Sequence, residues 1–160
     1  MIIQDNYIDV PLPYSFFKWS EMACNGDNSV IWNEKVRTFT IMINELRFWY
    51  KRPISPTSWY RTVEYNATVP HSSKKSQHLK GLAIDFHYPN EKWKVFANFR
   101  KTIFANNIIN KWKNLAKKHN VTYGILLYDW GFHIDAGGRE ISVVRDYRKK
   151  ENYVFNSREV

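Results

Sequence analysis

Between residues 33 and 51 the apolar side chains recur every three or four positions. Val36, Phe39, Ile43 and Leu46 fall on one stripe of NEKVRTFTIMINELRFWYK. That spacing predicts an amphipathic α-helix with one face against a core. Asn33 offers an N-cap and Pro53 lies just beyond the end, so the helix is bounded on both sides. Residues 91–119 repeat the behaviour less regularly, with Trp93, Phe96, Phe99, Ile103, Phe104, Ile108, Trp112 and Leu115 on the expected apolar side. Two shorter segments change the period to two. In GLAIDFHY, residues 81–88, Leu82, Ile84 and Phe86 alternate with Ala83, Asp85 and His87. In WGFHIDAGG, residues 130–138, Phe132 and Ile134 alternate with His133 and Asp135, and Gly137-Gly138 supplies a turn. Both read as strands with an apolar core face, and each displays an imidazole and a carboxylate together on its other face.

These elements sit in a chain of 160 residues without internal repeat, low-complexity tract or linker, a length that fits one domain around one core. The run from Arg145 to Val160 is expected to form a final strand or a tail. With 44% hydrophobic residues and 7 Trp, 10 Tyr and 10 Phe, the composition excludes a disordered chain. Cys24 is the only cysteine, which excludes an intrachain disulfide and a thiolate-rich zinc site. Neither a signal peptide nor an apolar run long enough to span a membrane is visible. The formal charge of +9 points to anionic surroundings: nucleic acid, an anionic membrane surface or an anionic cell wall. Much of the excess lies in residues 91–120, where the predicted helix would carry it on the solvent face.

The candidate chemistry is a metal site. Zinc takes about four ligands and a catalytic site leaves one to water, so a His/His/carboxylate set is sufficient. His78, Asp85 and His133 supply that set. The gap from His78 to Asp85 is too long for one helical turn but suits a loop residue folded back over the start of a strand, with Gly81 at the turn. His133 would come from a neighbouring strand of the same sheet. Spacing alone leaves open the simpler reading of hydrogen-bonded structural histidines, which His71 and His119 take. His87 shares a face with Asp85 and lines the cleft or orients a ligand.

Three stretches together resemble a known family: FFKWSEMACNGD at residues 16–27, SWYRTVEYNATVPHSSKKSQHLKGLAIDF at residues 58–86, and GILLYDWGFHIDAGG at residues 124–138. They resemble the zinc D-alanyl-D-alanine carboxypeptidases and their relatives, the L-alanyl-D-glutamate endopeptidases of phage endolysins. Ser76, His78 and Asp85 match that family's Ser-x-His-x6-Asp motif. His133 and Asp135 match its later His-x-Asp element, Arg61 matches its Ser-x-Tyr-Arg segment, and Asn66 falls where the family often has an asparagine. The resemblance runs from about residue 16 to about residue 140. It implies an α+β fold of the hedgehog/DD-peptidase type, a small mainly antiparallel sheet with flanking helices. It also implies one Zn2+ per chain on His78, Asp85 and His133, with peptidoglycan stem peptides as substrate. Arg61 would take a substrate carboxylate or the developing oxyanion, and Ser76 would hydrogen-bond the same carboxylate.

The chain departs from the family at the general base. Relatives place an acid three residues before the last ligand, where this chain has Trp130, with Asp129 one step earlier. A bulge at Gly131 would let Asp129 take the catalytic role. Without that bulge Asp135 is the remaining acid for the base, though its place on the ligand strand better suits orienting a histidine from behind. The expected protein is a monomeric phage or bacterial lytic enzyme, made in the cytoplasm and acting at the anionic wall. Two other functions compete with it. A basic single-stranded nucleic-acid-binding domain would use the aromatics and lysines of residues 91–118. A wall-binding relative would keep the zinc and lack catalysis.

Overall fold

The computed structural model describes residues 6–11, 15–88 and 97–149 of the chain. In chain order these form α1 (Trp19–Met22), α2 (Glu34–Tyr50), α3 (Val63–Thr68), a 3-10 turn (Gln77–Lys80), β1 (Ala83–His87), α4 (Ala97–Lys118), β2 (Tyr123–Leu127), β3 (Gly131–Ala136) and β4 (Val143–Asp146). The strands make one sheet in the order β1-β3-β2-β4. β3 pairs antiparallel with both β1 and β2, and β4 joins β2 in parallel, so the sheet is mixed. The architecture is α+β, with helices flanking a small sheet.

α2 begins where its cap places it: Asn33 Oδ1 accepts from Val36 N at 3.0 Å. Its buried stripe contains Val36, Phe39, Ile43 and Leu46, as the period predicts, and also Thr40 and Asn44. Asn44, fully buried, donates to Thr40 O and accepts from Phe16 N, both at 2.8 Å, and so ties the N-terminal segment to the helix. Phe39 packs edge-on against both Trp59 and Trp112 at ring separations of 6.0 and 5.9 Å. Each large apolar side chain fully buried in this way contributes on the order of 1.5–3 kcal/mol.

α4 runs over Ala97–Lys118, inside the expected 91–119, and Trp93 and Phe96 lie outside the described residues. Ile108, Trp112 and Leu115 are buried as expected, and Phe104 is half-buried. Ile103 does not join them and is 45% exposed. The line 104-108-112-115 defines the buried stripe, and Ile103 sits one residue before it, about 100° round the helix. Trp112 is fully buried, and its ring offers no face to a nucleic-acid base. Among the described residues no helix is long and apolar enough to cross a membrane.

The β2–β3 connection is a tight hairpin. Tyr128 N donates to Gly131 O at 2.9 Å and Gly131 N donates to Tyr128 O at 3.3 Å, leaving Asp129 and Trp130 as its two loop residues. Gly131 pairs in regular register with His87. The bulge that would have carried Asp129 towards the ligand strand is therefore absent: the hairpin closes without an extra residue to absorb.

Candidate metal centre

Three local structures place the three candidate ligands. Ser76 Oγ accepts from His78 N at 3.3 Å and opens the 3-10 turn, which Gly81 closes at φ +68°. Glycine adopts that left-handed conformation without steric cost. A Cβ at this position would also lie 2.5 Å from Ile31 Cγ2. The turn folds His78 back over the start of β1. Asp85 N donates to Ser58 O at 2.9 Å and Thr57 N donates to Asp85 O at 2.8 Å. Both main-chain groups of Asp85 thus bond away from β3, and its pairing with His133 is of the non-hydrogen-bonded kind. Such pairs bring their Cα atoms to about 4.5 Å and their side chains closer than hydrogen-bonded pairs do.

The result is a compact cluster. Asp85 Oδ1 lies 2.8 Å from His133 Nδ1 and 3.2 Å from His78 Nε2, and ligand atoms of the three residues all fall within 4.8 Å of one another. Each side chain is held from behind. His78 Nδ1 donates to Trp59 O at 2.6 Å, His133 Nε2 lies 3.0 Å from Asp135 Oδ2, and Asp85 Oδ2 accepts from Arg61 Nη2 at 3.2 Å. His78 Nε2 is buried, makes no hydrogen bond and points into the cluster.

The electrostatics follow from this packing. Burial alone would raise the Asp85 carboxyl, but the hydrogen bond from His133 and the nearness of both imidazoles hold it well below the ordinary carboxylate range. Burial pushes the His78 imidazole down, towards the neutral form. His133 is pushed down by burial as well, but its hydrogen bonds to Asp135 and Asp85 outweigh this and raise it. Asp135, opposed by burial, is lowered by His133 and Arg139.

The other expected site residues lie around this cluster in different roles. Arg61 lines a cleft of about 280 Å³ together with Ser58, Tyr65, Asp85, His87 and Trp130. Its Nε donates to Ser58 Oγ at 2.9 Å and its Nη2 is paired with Asp85, so the guanidinium is engaged with a candidate ligand. Ser76 serves His78 as a local cap. His87 is exposed, donates from Nδ1 to Trp130 O at 3.2 Å and stands edge-on to the Trp130 ring. Asp135 is fully buried behind His133. Asp129 is not brought to the cluster; its Oδ1 accepts from Lys149 N at 3.2 Å. Asn66, at the position where relatives often have asparagine, is buried and donates to Ser73 O at 3.0 Å.

Sequence reasoning missed Trp59 and Arg139 and gave Ser58, the serine of the Ser-x-Tyr-Arg segment, no role of its own. Trp59 acts through its main-chain oxygen, for which side-chain identity carries no signal, whereas Ser58 acts through both its main-chain oxygen and the Oγ that braces Arg61. Arg139 lies four residues past Asp135, but it is one of 24 Lys and Arg and nothing in the pattern sets it apart.

The Peptidase M15 family model matches residues 15–117, more than half of the chain. The chain belongs to the Peptidase M15 family. The match contains Arg61, Ser76, His78 and Asp85 and stops before His133, which the β1–β3 pairing supplies. No curated protein and no solved structure gave a match. The α+β architecture with its four-stranded mixed sheet is consistent with an M15 peptidase.

M15 peptidases are zinc enzymes, and the residues of this chain fit that ion. Two imidazoles and one carboxylate make a donor set of the catalytic zinc type, with a coordination position left for water. The far atom of each donor is already engaged, which is how bound ligands are oriented. His78 Nε2 is a buried nitrogen with no other partner.

Proposed function

We propose that this M15 chain is a zinc-dependent peptidase that hydrolyses an amide bond in peptidoglycan stem peptides, of the D-Ala-D-Ala carboxypeptidase or L-Ala-D-Glu endopeptidase kind. The observation that carries this reading is the convergence of His78 Nε2, Asp85 Oδ1 and His133 Nδ1 on one point beside a cleft. Zinc, when bound there, supplies the Lewis acidity that polarises a carbonyl and acidifies water.

The chain's own residues prepare that chemistry. Asp85 stays ionised and His78 neutral at neutral pH, so both offer lone pairs. His133 Nδ1 must give up its proton on metal binding, which makes loading pH-dependent. Arg61, permanently charged and braced by Ser58, lines the cleft where a substrate carboxylate or developing oxyanion would sit. The formal charge of +9 suits an anionic wall. Within the same reading, residues 1–160 act as one peptidase domain, as a monomer holding one zinc, in a phage or bacterial wall-lytic protein.

Digestion of purified sacculi, with and without chelator, tests this. Zinc-dependent release of alanine indicates the carboxypeptidase, and released stem peptides indicate the endopeptidase. A second reading, a wall-binding relative that holds zinc without catalysis, is favoured by one observation: Trp130 occupies the family's acid position and Asp129 is bonded to Lys149. Intact sacculi incubated with zinc-loaded protein would establish that reading in place of the peptidase.

A further inference from the structure

Behind His133 stands a second ion pair, in which Asp135 meets an arginine that no motif contains. Arg139 grips the Asp135 carboxylate at both oxygens: Nε to Oδ1 at 2.8 Å, Nε to Oδ2 at 3.0 Å and Nη2 to Oδ2 at 2.7 Å. Asp135 is completely buried, and its Oδ2 is the atom that faces His133 Nε2. The chain brings Arg139 into place through the Gly137-Gly138 turn, and Thr122 Oγ1 donates to Arg139 O at 2.7 Å.

The neighbouring strand leaves room for this pair. Gly124 on β2 lies directly opposite Asp135 in the ladder. A Cβ on Gly124 would lie 2.3 Å from Asp135 Oδ2 and 2.4 Å from Arg139 Nε, closer than any atom tolerates. The space where Gly124 has no side chain is filled by the carboxylate and the guanidinium.

The physical consequence concerns the ring of His133. An imidazole that gives its Nε2 proton to a fixed carboxylate presents Nδ1 as the metal-binding atom. A carboxylate fixes the ring only if its own plane is fixed. The planar guanidinium fork, bonded to both oxygens, does this, whereas a point charge would not. We propose that Arg139 is a positioning residue for the metal centre, locking Asp135 so that His133 Nδ1 faces His78 and Asp85, and that Gly124 is the vacancy that admits it.

This inference rests on the zinc reading of His78, Asp85 and His133, and the test separates the two. Zinc affinity is measured by competition with a chromogenic chelator for the wild-type chain and for Arg139→Ala, Arg139→Lys and His133→Ala. The circular dichroism and melting temperature of each metal-free variant are recorded alongside. Arg139→Lys keeps the charge beside buried Asp135 and is expected to fold with a native spectrum, yet to bind zinc roughly 10–100-fold more weakly, the usual cost of losing a group that orients a ligand. Arg139→Ala is expected to bind at least as weakly and to melt lower. A Co2+-loaded Arg139→Lys chain is expected to show an altered d–d spectrum, which a purely structural ion pair would not produce. Wild-type affinity in both Arg139 variants overturns the inference alone. Failure of both variants to fold overturns it too, in favour of a purely structural pair. Absence of zinc binding from the wild-type chain, or its full retention in His133→Ala, overturns the metal-centre reading and the inference with it.

Discussion

The two faces of the β1–β3 pair place the same backbone in different service. On one face Ile84 lies opposite Ile134 and Phe86 opposite Phe132, all buried, with the two phenyl rings stacked at 5.2 Å. On the other face Ala83 lies opposite Asp135 and Asp85 opposite His133, and His87 opposite Gly131 ends the row in solvent. The apolar face is held by contact area, which has no direction and tolerates another side chain of similar volume. The polar face is held by oriented bonds, in which each group is satisfied by one particular partner and losing that partner strands the other. Adjacent residues of one strand thus answer to different rules. The apolar face sets whether the sheet forms, and the polar face sets what it can bind.

Substitutions can break that contrast. The largest effect is expected from His78→Ala and Asp85→Ala, which should take zinc from about one per chain to none after dialysis while leaving the metal-free fold intact. Stoichiometric zinc in either variant removes that residue as a ligand. Next comes Ile134→Ala, expected to cost about 2–5 kcal/mol in urea unfolding through a cavity beneath the sheet. Its zinc affinity, measured while folded, should match wild type, and a parallel loss would mean that the faces are not separable. Gly124→Ala should cost about 1–3 kcal/mol, as overpacking does, and should weaken zinc binding as well, because its Cβ displaces the Asp135–Arg139 pair.

Acid titration sharpens the same contrast. Asp85 and Asp135 are held below their ordinary 3.8, so their contribution is present above that value and is lost as pH falls through the lower folded values. His78, lowered from 6.5 by burial, also favours unfolding as pH drops below that value. His133 is raised, so its contribution is complete below 6.5 and constant over this range. The chelated protein should therefore lose stability steadily from pH 6.5 downwards in urea melts. Ile134→Ala should shift that curve without changing its slope, and Asp135→Asn should flatten its acid end. The smallest effect is expected from Asp129→Asn, roughly 0.5 kcal/mol or less in stability, because Asn keeps the oxygen that accepts from Lys149 N. Loss of turnover with zinc retained would return Asp129 to the role of base.

Much of this molecule is legible along the chain. Asn33 and the stripe from Val36 to Leu46 specify α2 because helical period and capping are local properties. The alternation around Asp85 and His133 separates core face from polar face before any partner strand is known. Over its described residues α4 is legible as a helix but not in rotation: Ile103 sits one residue off the buried stripe, a distinction that packing against α2 and the sheet decides. The absence of the bulge expected at Gly131 was not legible for a related reason. Closure of the hairpin depends on the ladder between Tyr128 and Gly131, not on the composition of the loop.

The sequence by itself determined the residue types, the periods and the turn at Gly81, all readable within a few positions of one another, and it offered His78, Asp85 and His133 as candidates through their donor chemistry and the motifs they match. The tertiary structure alone decided that Asp85 stands opposite a histidine 48 residues away. It also decided which nitrogen of each imidazole turns inward, and that Trp59, Arg61 and the Asp135–Arg139 pair hold the three from behind. Strand register and hydrogen-bond direction arise from contacts between distant segments. They exist only once β1, β2 and β3 are laid side by side.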